Sequence, residues 1–162
     1  MTIRLRRLVL LLTAAATSTL LQAAEADISV SDAYVRMAPP GTPTTGAFMT
    51  IKNSGSADRK LLRVDSPIAK TVELHNHIND NGVMKMRPVK EIDVKSNGQA
   101  ELKPGSYHVM LIDLKQALQE GEKVPMTLSF DDGSTKNIDA PVKKPQAMLK
   151  MTDDHNHGKM KH

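Results

Sequence analysis

Residues 124–130 read Val-Pro-Met-Thr-Leu-Ser-Phe, so Val124, Met126, Leu128 and Phe130 alternate with Pro125, Thr127 and Ser129. A period of two is the signature of a strand with one face buried and the other in water. Outward from this stretch, short segments rich in Val, Ile, Thr and Leu alternate with turn clusters. These are Pro39-Pro40-Gly41, Asn53-Ser54-Gly55, Asn97-Gly98 and Asp132-Gly133. Turns at this frequency predict an all-β single domain, a sandwich or barrel over residues 27–142, rather than helix–strand units. Met49 and Met126 read as core filler. Leu114 to Glu120 is the one stretch that could form a helical turn. No internal repeat is visible.

The N-terminus reads as a secretory signal peptide over residues 1–26. Arg4, Arg6 and Arg7 form its charged start, Leu8 to Leu21 its apolar stretch, and Ala24-Glu25-Ala26 a small-x-small cleavage site. A membrane anchor would need ~20 strongly apolar residues, and Thr13, Thr17, Ser18 and Thr19 interrupt this run. No later run is apolar enough to cross a bilayer, so no stable membrane insertion is expected after cleavage. No cysteine is present, which argues against a lipid anchor and excludes disulfides in an oxidising compartment.

The whole chain has 22 Lys and Arg against 18 Asp and Glu. Removing the signal peptide takes away three Arg and one Glu, leaving 19 against 17 and a net charge of +2. Those basic residues are scattered, and the aromatic side chains are only Tyr34, Phe48, Tyr107 and Phe130. A nucleic-acid surface needs a coherent basic patch with stacking aromatics, so nucleic acid is excluded as a partner.

Four residues carry the chemical signal: His75, Met86, His108 and Met110, with intervening lengths of ten, twenty-one and one residue. Two imidazoles and two thioethers make a soft ligand set. Thioether sulphur selects Cu(I), whereas zinc, calcium and magnesium prefer thiolate, imidazole or oxygen. Asn81-Gly82 predicts a two-residue hairpin turn. That register pairs Asp80 with Val83 and His77 with Met86, and leaves His75 diagonal to Met86, within reach of a shared ion. Val72, Leu74 and Ile78 then point to the core side. His108 and Met110 share a strand face opposite Tyr107, Val109 and Leu111. Both ligand pairs are expected on non-core faces, in a shallow, accessible site suited to ligand exchange.

Residues 143–162 read as a flexible Met- and His-rich tail without apolar periodicity. Met148, Met151, His155, His157, Met160 and His162 form a second cluster, with Asp153 and Asp154 beside it. Its nitrogen and oxygen donors suit Cu(II), although a short His-rich tract also binds nickel or zinc, and a polar solubilising tail is the plainer reading.

The chain resembles the periplasmic copper chaperone family called PCuAC over about residues 28–142. The stretches that carry the resemblance are Ala33-Tyr34-Val35-Arg36, Gly46-Ala47-Phe48-Met49, Val72-Glu73-Leu74-His75, Gly82 to Val89, and Pro104 to Leu111. Leu118-Gln119-Glu120-Gly121 and Leu128-Ser129-Phe130 also fit. The resemblance implies a cupredoxin-like Greek-key β fold, a periplasmic location, and a Cu(I) site whose ligands map onto His75, Met86, His108 and Met110. It also implies delivery of copper for assembly of cytochrome c oxidase or another copper enzyme, and the chain is expected to act as a monomer. The recipient would be an oxidase subunit or another copper chaperone. Many relatives carry Met two residues after the first His, where this chain has His77. That third imidazole either assists copper binding or is a solvated substitution. Some relatives have comparable tails implicated in a second copper site.

Rival functions divide by chemistry. A blue-copper electron-transfer site needs a cysteine thiolate, which this chain lacks. Covalent haem attachment needs Cys-x-x-Cys-His, also lacking. No nucleophile, base and orienting-acid set suggests an enzyme. A structural or adhesive β-sandwich with incidental His and Met would bind no copper. A periplasmic copper storage, tolerance or uptake protein would use the same ligands, and only transfer to a recipient separates it from a chaperone.

Overall fold

The computed structural model describes residues 27–145. The expected signal peptide and the tail cluster Met148, Met151, His155, His157, Met160 and His162 lie outside the described residues. The elements are ten strands: β1 (Ile28–Arg36), β2 (Thr44–Asn53), β3 (Arg59–Asp65), β4 (Ala69–Asp80), β5 (Val83–Pro88), β6 (Ile92–Val94), β7 (Gly98–Leu102), β8 (His108–Leu114), β9 (Lys123–Phe130) and β10 (Thr135–Lys143). The fold is all-β, as the alternation in β9 predicted. Val124, Met126, Leu128 and Phe130 are all buried there.

Hydrogen bonding follows the path β5-β4-β8-β2-β1-β10-β9-β3-β6, which does not close into a barrel. The run from β5 to β1 forms one sheet and the run from β10 to β6 the other. A short parallel pairing, Val35 with Val142 and Arg36 with Lys143, joins them. β7 and β8 lie end to end along the same edge of β2, which pairs Met49–Asn53 with β7 and Thr44–Ala47 with β8. The core lies between the two sheets, with Ala47, Ile51, Val109 and Leu111 from the first and Leu61, Val124, Leu128 and Val142 from the second.

A bulge in β1 sets the outer face of the first sheet. Asp32 has φ 54°, and the pairing with β2 shifts between Ser31 and Tyr34. An extra residue on one strand switches which side chains face inward. Ile28 and Val30 point to the core before the bulge and Val35 after it, so Tyr34 is turned to the outer face beside its partner Phe48.

Two local expectations are corrected. Ile78 is 42% exposed rather than core-facing, because the β4–β5 hairpin runs past the end of β8, where no other described strand packs beneath it. Leu114 ends β8, and residues 115–121 form an irregular loop instead of a helical turn. Its backbone donors Lys115 N–H and Gly121 N–H bond the carbonyls of Ile68 and Val142, the Gln119 carbonyl closes a short turn with Glu122 N–H, and Leu118 plugs into the core.

Candidate metal centre

The hairpin expectation holds in its register. Asn81 and Gly82 both have positive φ, 53° and 86°, the combination a tight two-residue hairpin turn requires. Asp80 pairs with Val83 and His77 with Met86. The other side of β4 supplies the long-range contact: His75 pairs directly with His108 on β8, and Glu73 with Met110. By strand periodicity, Glu73, His75, His77, Met86, His108 and Met110 therefore occupy one face of three adjacent strands.

The imidazoles cluster tightly. The ring centroids of His75 and His108 are 5.8 Å apart, and those of His77 and His108 are 5.1 Å apart. Met110 is half-buried on the strand of His108, whereas Met86 on the edge strand is 40% exposed. The centre is thus open on the Met86 side and closed on the other. His108 is 3% exposed, contrary to the expectation of a uniformly shallow site, because the rings of Phe48, His75 and His77 close around it.

Hydrogen bonding orients the rings. His108 Nδ1 lies 2.9 Å from the Ser106 carbonyl and His75 Nε2 lies 2.7 Å from the Glu73 carboxylate. The opposite nitrogens, His108 Nε2 and His75 Nδ1, are buried without a protein partner. Buried polar atoms are almost always satisfied, so two orphaned nitrogens on cross-strand partners are candidates to take a ligand. Burial, foremost, pushes the His108 imidazole below its ordinary pKa, with the charges of His77, His75 and Arg36 acting in the same direction. That keeps its ring neutral and a lone pair free. His77 Nδ1 sits at 3.5 Å from the same Ser106 carbonyl. Among the described residues no three His, Asp or Glu side chains form a metal-holding group by themselves.

An aromatic wall adjoins the imidazoles. Tyr34 stacks on Phe48 at 5.0 Å, Phe48 lies 6.1 Å from His108, and the Arg36 guanidinium sits over Phe48 at 5.0 Å. Gly46, the β2 partner of Met110, makes room for the Phe48 ring. The sequence reading missed Glu73, Ser106 and this wall. A carboxylate two residues before a His on a strand shares its face, and that spacing could have pointed to Glu73.

Residues 28–142 match the family described as "Putative lipoprotein LpqE-like". The chain belongs to the LpqE-like, PCuAC-type family. A relative from Leifsonia xyli subsp. xyli, "Putative lipoprotein Lxx21020", is 36% identical over 117 residues, which is 72% of this chain and 69% of that protein. The solution structure of CuI-DR1885 from Deinococcus radiodurans is 36% identical, with TM-score 0.55, over 70% of this chain and 76% of that one. The copper-bound PCuAC domain from PmoF2 shares the fold, with TM-score 0.63 at 24% identity over 74% of this chain and 94% of that chain. The architecture is thus the cupredoxin-like β fold of PCuAC domains, in agreement with the fold that the resemblance implied.

Proposed function

We propose that this PCuAC-type protein is an exported, periplasmic copper chaperone that takes up Cu(I) through His75, Met86, His108 and Met110 and passes it to a copper-accepting protein. The observation that carries the reading is the pair His75 and His108, each with one nitrogen fixed by an oxygen and the other orphaned in a buried setting. The similarity to CuI-DR1885 supports the choice of metal. The names of the relatives as lipoproteins support export, although this chain has no cysteine to carry a lipid.

The chemistry follows from the donors. Imidazole nitrogens and thioether sulphurs are neutral, soft ligands that suit a monovalent d10 ion and impose no rigid geometry. Met86, the most exposed of the four, is the ligand a recipient's donor displaces first. Copper then moves by stepwise ligand exchange without entering water, while buried His108 holds it on the protein side. This cargo role requires no catalytic residue. Recipients that fit are a cytochrome c oxidase subunit or another copper chaperone.

The tail is proposed as a second copper-binding element. β10 ends at Lys143, whose ammonium lies 5.4 Å from the Tyr34 ring in the wall that reaches His108. At up to ~3.4 Å per residue, the eight residues from Lys144 to Met151 could carry a tail donor as much as ~27 Å from Lys143. Cu(I) held on the thioether and imidazole donors of the tail is then presented to the main centre at high effective concentration, with no change of oxidation state.

Anaerobic Cu(I) titration against a competing chelator tests the reading. Wild type binds one Cu(I) tightly in the domain, and Met86→Ala with Met110→Ala abolishes that binding while the chain stays folded. Tight binding that survives the double change overturns the ligand set. Transfer to an apo copper-site domain faster than release into solution separates delivery from storage.

A further inference from the structure

An imidazole binds a metal only through the nitrogen that carries no proton, so whatever fixes the proton on one nitrogen selects the other as donor. A carboxylate and a carbonyl only accept. The Glu73 oxygen 2.7 Å from His75 Nε2 therefore places the proton of the neutral ring on Nε2 and leaves Nδ1 bare. At His108 the Ser106 carbonyl, 2.9 Å from Nδ1, holds the proton there and leaves Nε2 bare. Those two bare nitrogens are the orphaned buried atoms of the site.

We propose that Glu73 is a positioning residue for the cargo metal, fixing His75 in the tautomer that donates through Nδ1 while His108 donates through Nε2. The assignment rests on the reading of His75 and His108 as ligands and adds the donor atom of each ring and the side chain that selects it. The strand supplies the geometry, because Glu73 and His75 stand two residues apart on one face of β4. The two histidines differ in what holds them. Ser106 acts through its backbone, in the turn before β8, and no side-chain change removes that acceptor. Glu73 acts through a carboxylate that is 43% exposed, so it can be replaced without opening the core. A carboxylate behind a ligating imidazole also raises the basicity of the donor nitrogen, and loss of such a partner costs about 10–100-fold in metal affinity.

Long-range proton–nitrogen NMR of histidine side chains, on 15N-labelled protein with and without anaerobic Cu(I), reads each nitrogen separately. In the apo protein His75 is expected to carry its proton on Nε2 and His108 on Nδ1. Cu(I) should then shift His75 Nδ1 and His108 Nε2. Glu73→Ala should give a mixture of His75 tautomers and a Cu(I) affinity lower by about 10-fold or more. Glu73→Gln, which keeps an acceptor oxygen, should recover the tautomer and most of the affinity, with backbone amide spectra unchanged in both variants. A coordination shift larger at His75 Nε2 than at Nδ1, or Glu73→Ala with wild-type tautomer and affinity, overturns the role of Glu73. Cu(I) that moves no histidine resonance overturns the ligand reading itself, and the donor assignment with it.

Discussion

His75 and His108 face each other as cross-strand partners on β4 and β8, with ring centroids 5.8 Å apart and one nitrogen of each ring buried and unpaired. Neither strand makes this arrangement alone. β4 reaches β8 only because the sheet closes a contact over thirty-two intervening residues, and β5 then adds Met86 from the hairpin side. The centre is built at the junction of a local pairing and a long-range one.

Gly46→Ala should disturb the centre without touching a ligand. A Cβ at Gly46 would stand 3.1 Å from Phe48 Cζ. That ring is hemmed in by Tyr34 at 5.0 Å, Arg36 at 5.0 Å and His108 at 6.1 Å, so it has little room to retreat. Thermal or urea unfolding of the apo protein should show a loss of about 1–2 kcal/mol, the usual cost of overpacking. Cu(I) affinity should fall with it, because His108 moves with Phe48.

The stability of the apo protein should depend on His108 in mild acid. Its folded-state pKa lies below the ordinary histidine value, with burial as the main cause. As pH falls below ~6.5 the unfolded chain takes up a proton that the folded chain resists, so unfolding is favoured. Above that pH both states are neutral at this residue and the penalty vanishes. The melting-temperature advantage of wild type over His108→Gln should therefore narrow as the pH is lowered from 7.5 to 5.5. An advantage that widens in acid would contradict the burial argument.

Deletion of residues 146–162 should reduce bound copper per chain and slow loading of the main site at low metal concentration. The tight Cu(I) affinity of the domain should stay as it was. Stoichiometry and stopped-flow loading measure the two effects separately, and a deletion that changes neither leaves the tail without a copper role.

Much of this architecture was legible in particular residues. Val124 to Phe130 gave a strand because its period of two matches a half-buried sheet, and Asn81-Gly82 gave the register of β4 with β5 because few residue pairs tolerate two positive φ values. The direct pairing of His75 with His108 was not legible, since no local pattern encodes which distant strand becomes a neighbour. The bulge at Asp32 left only a change of parity between Val30 and Val35. Ile78 follows the apolar alternation of β4 yet lies in water, because periodicity assigns a face and cannot tell whether another layer covers it. The burial of His108 was missed for the converse reason. Phe48 and two other imidazoles cover an outer face that the pattern left open.

Copper K-edge X-ray absorption of the tail-deleted protein, loaded anaerobically with one Cu(I), reads the ligand set itself. The expected first shell contains both nitrogen and sulphur scatterers, with the sulphur contribution lost in Met86→Ala with Met110→Ala. A first shell made only of nitrogen and oxygen, or one unchanged by the double substitution, would contradict that ligand set.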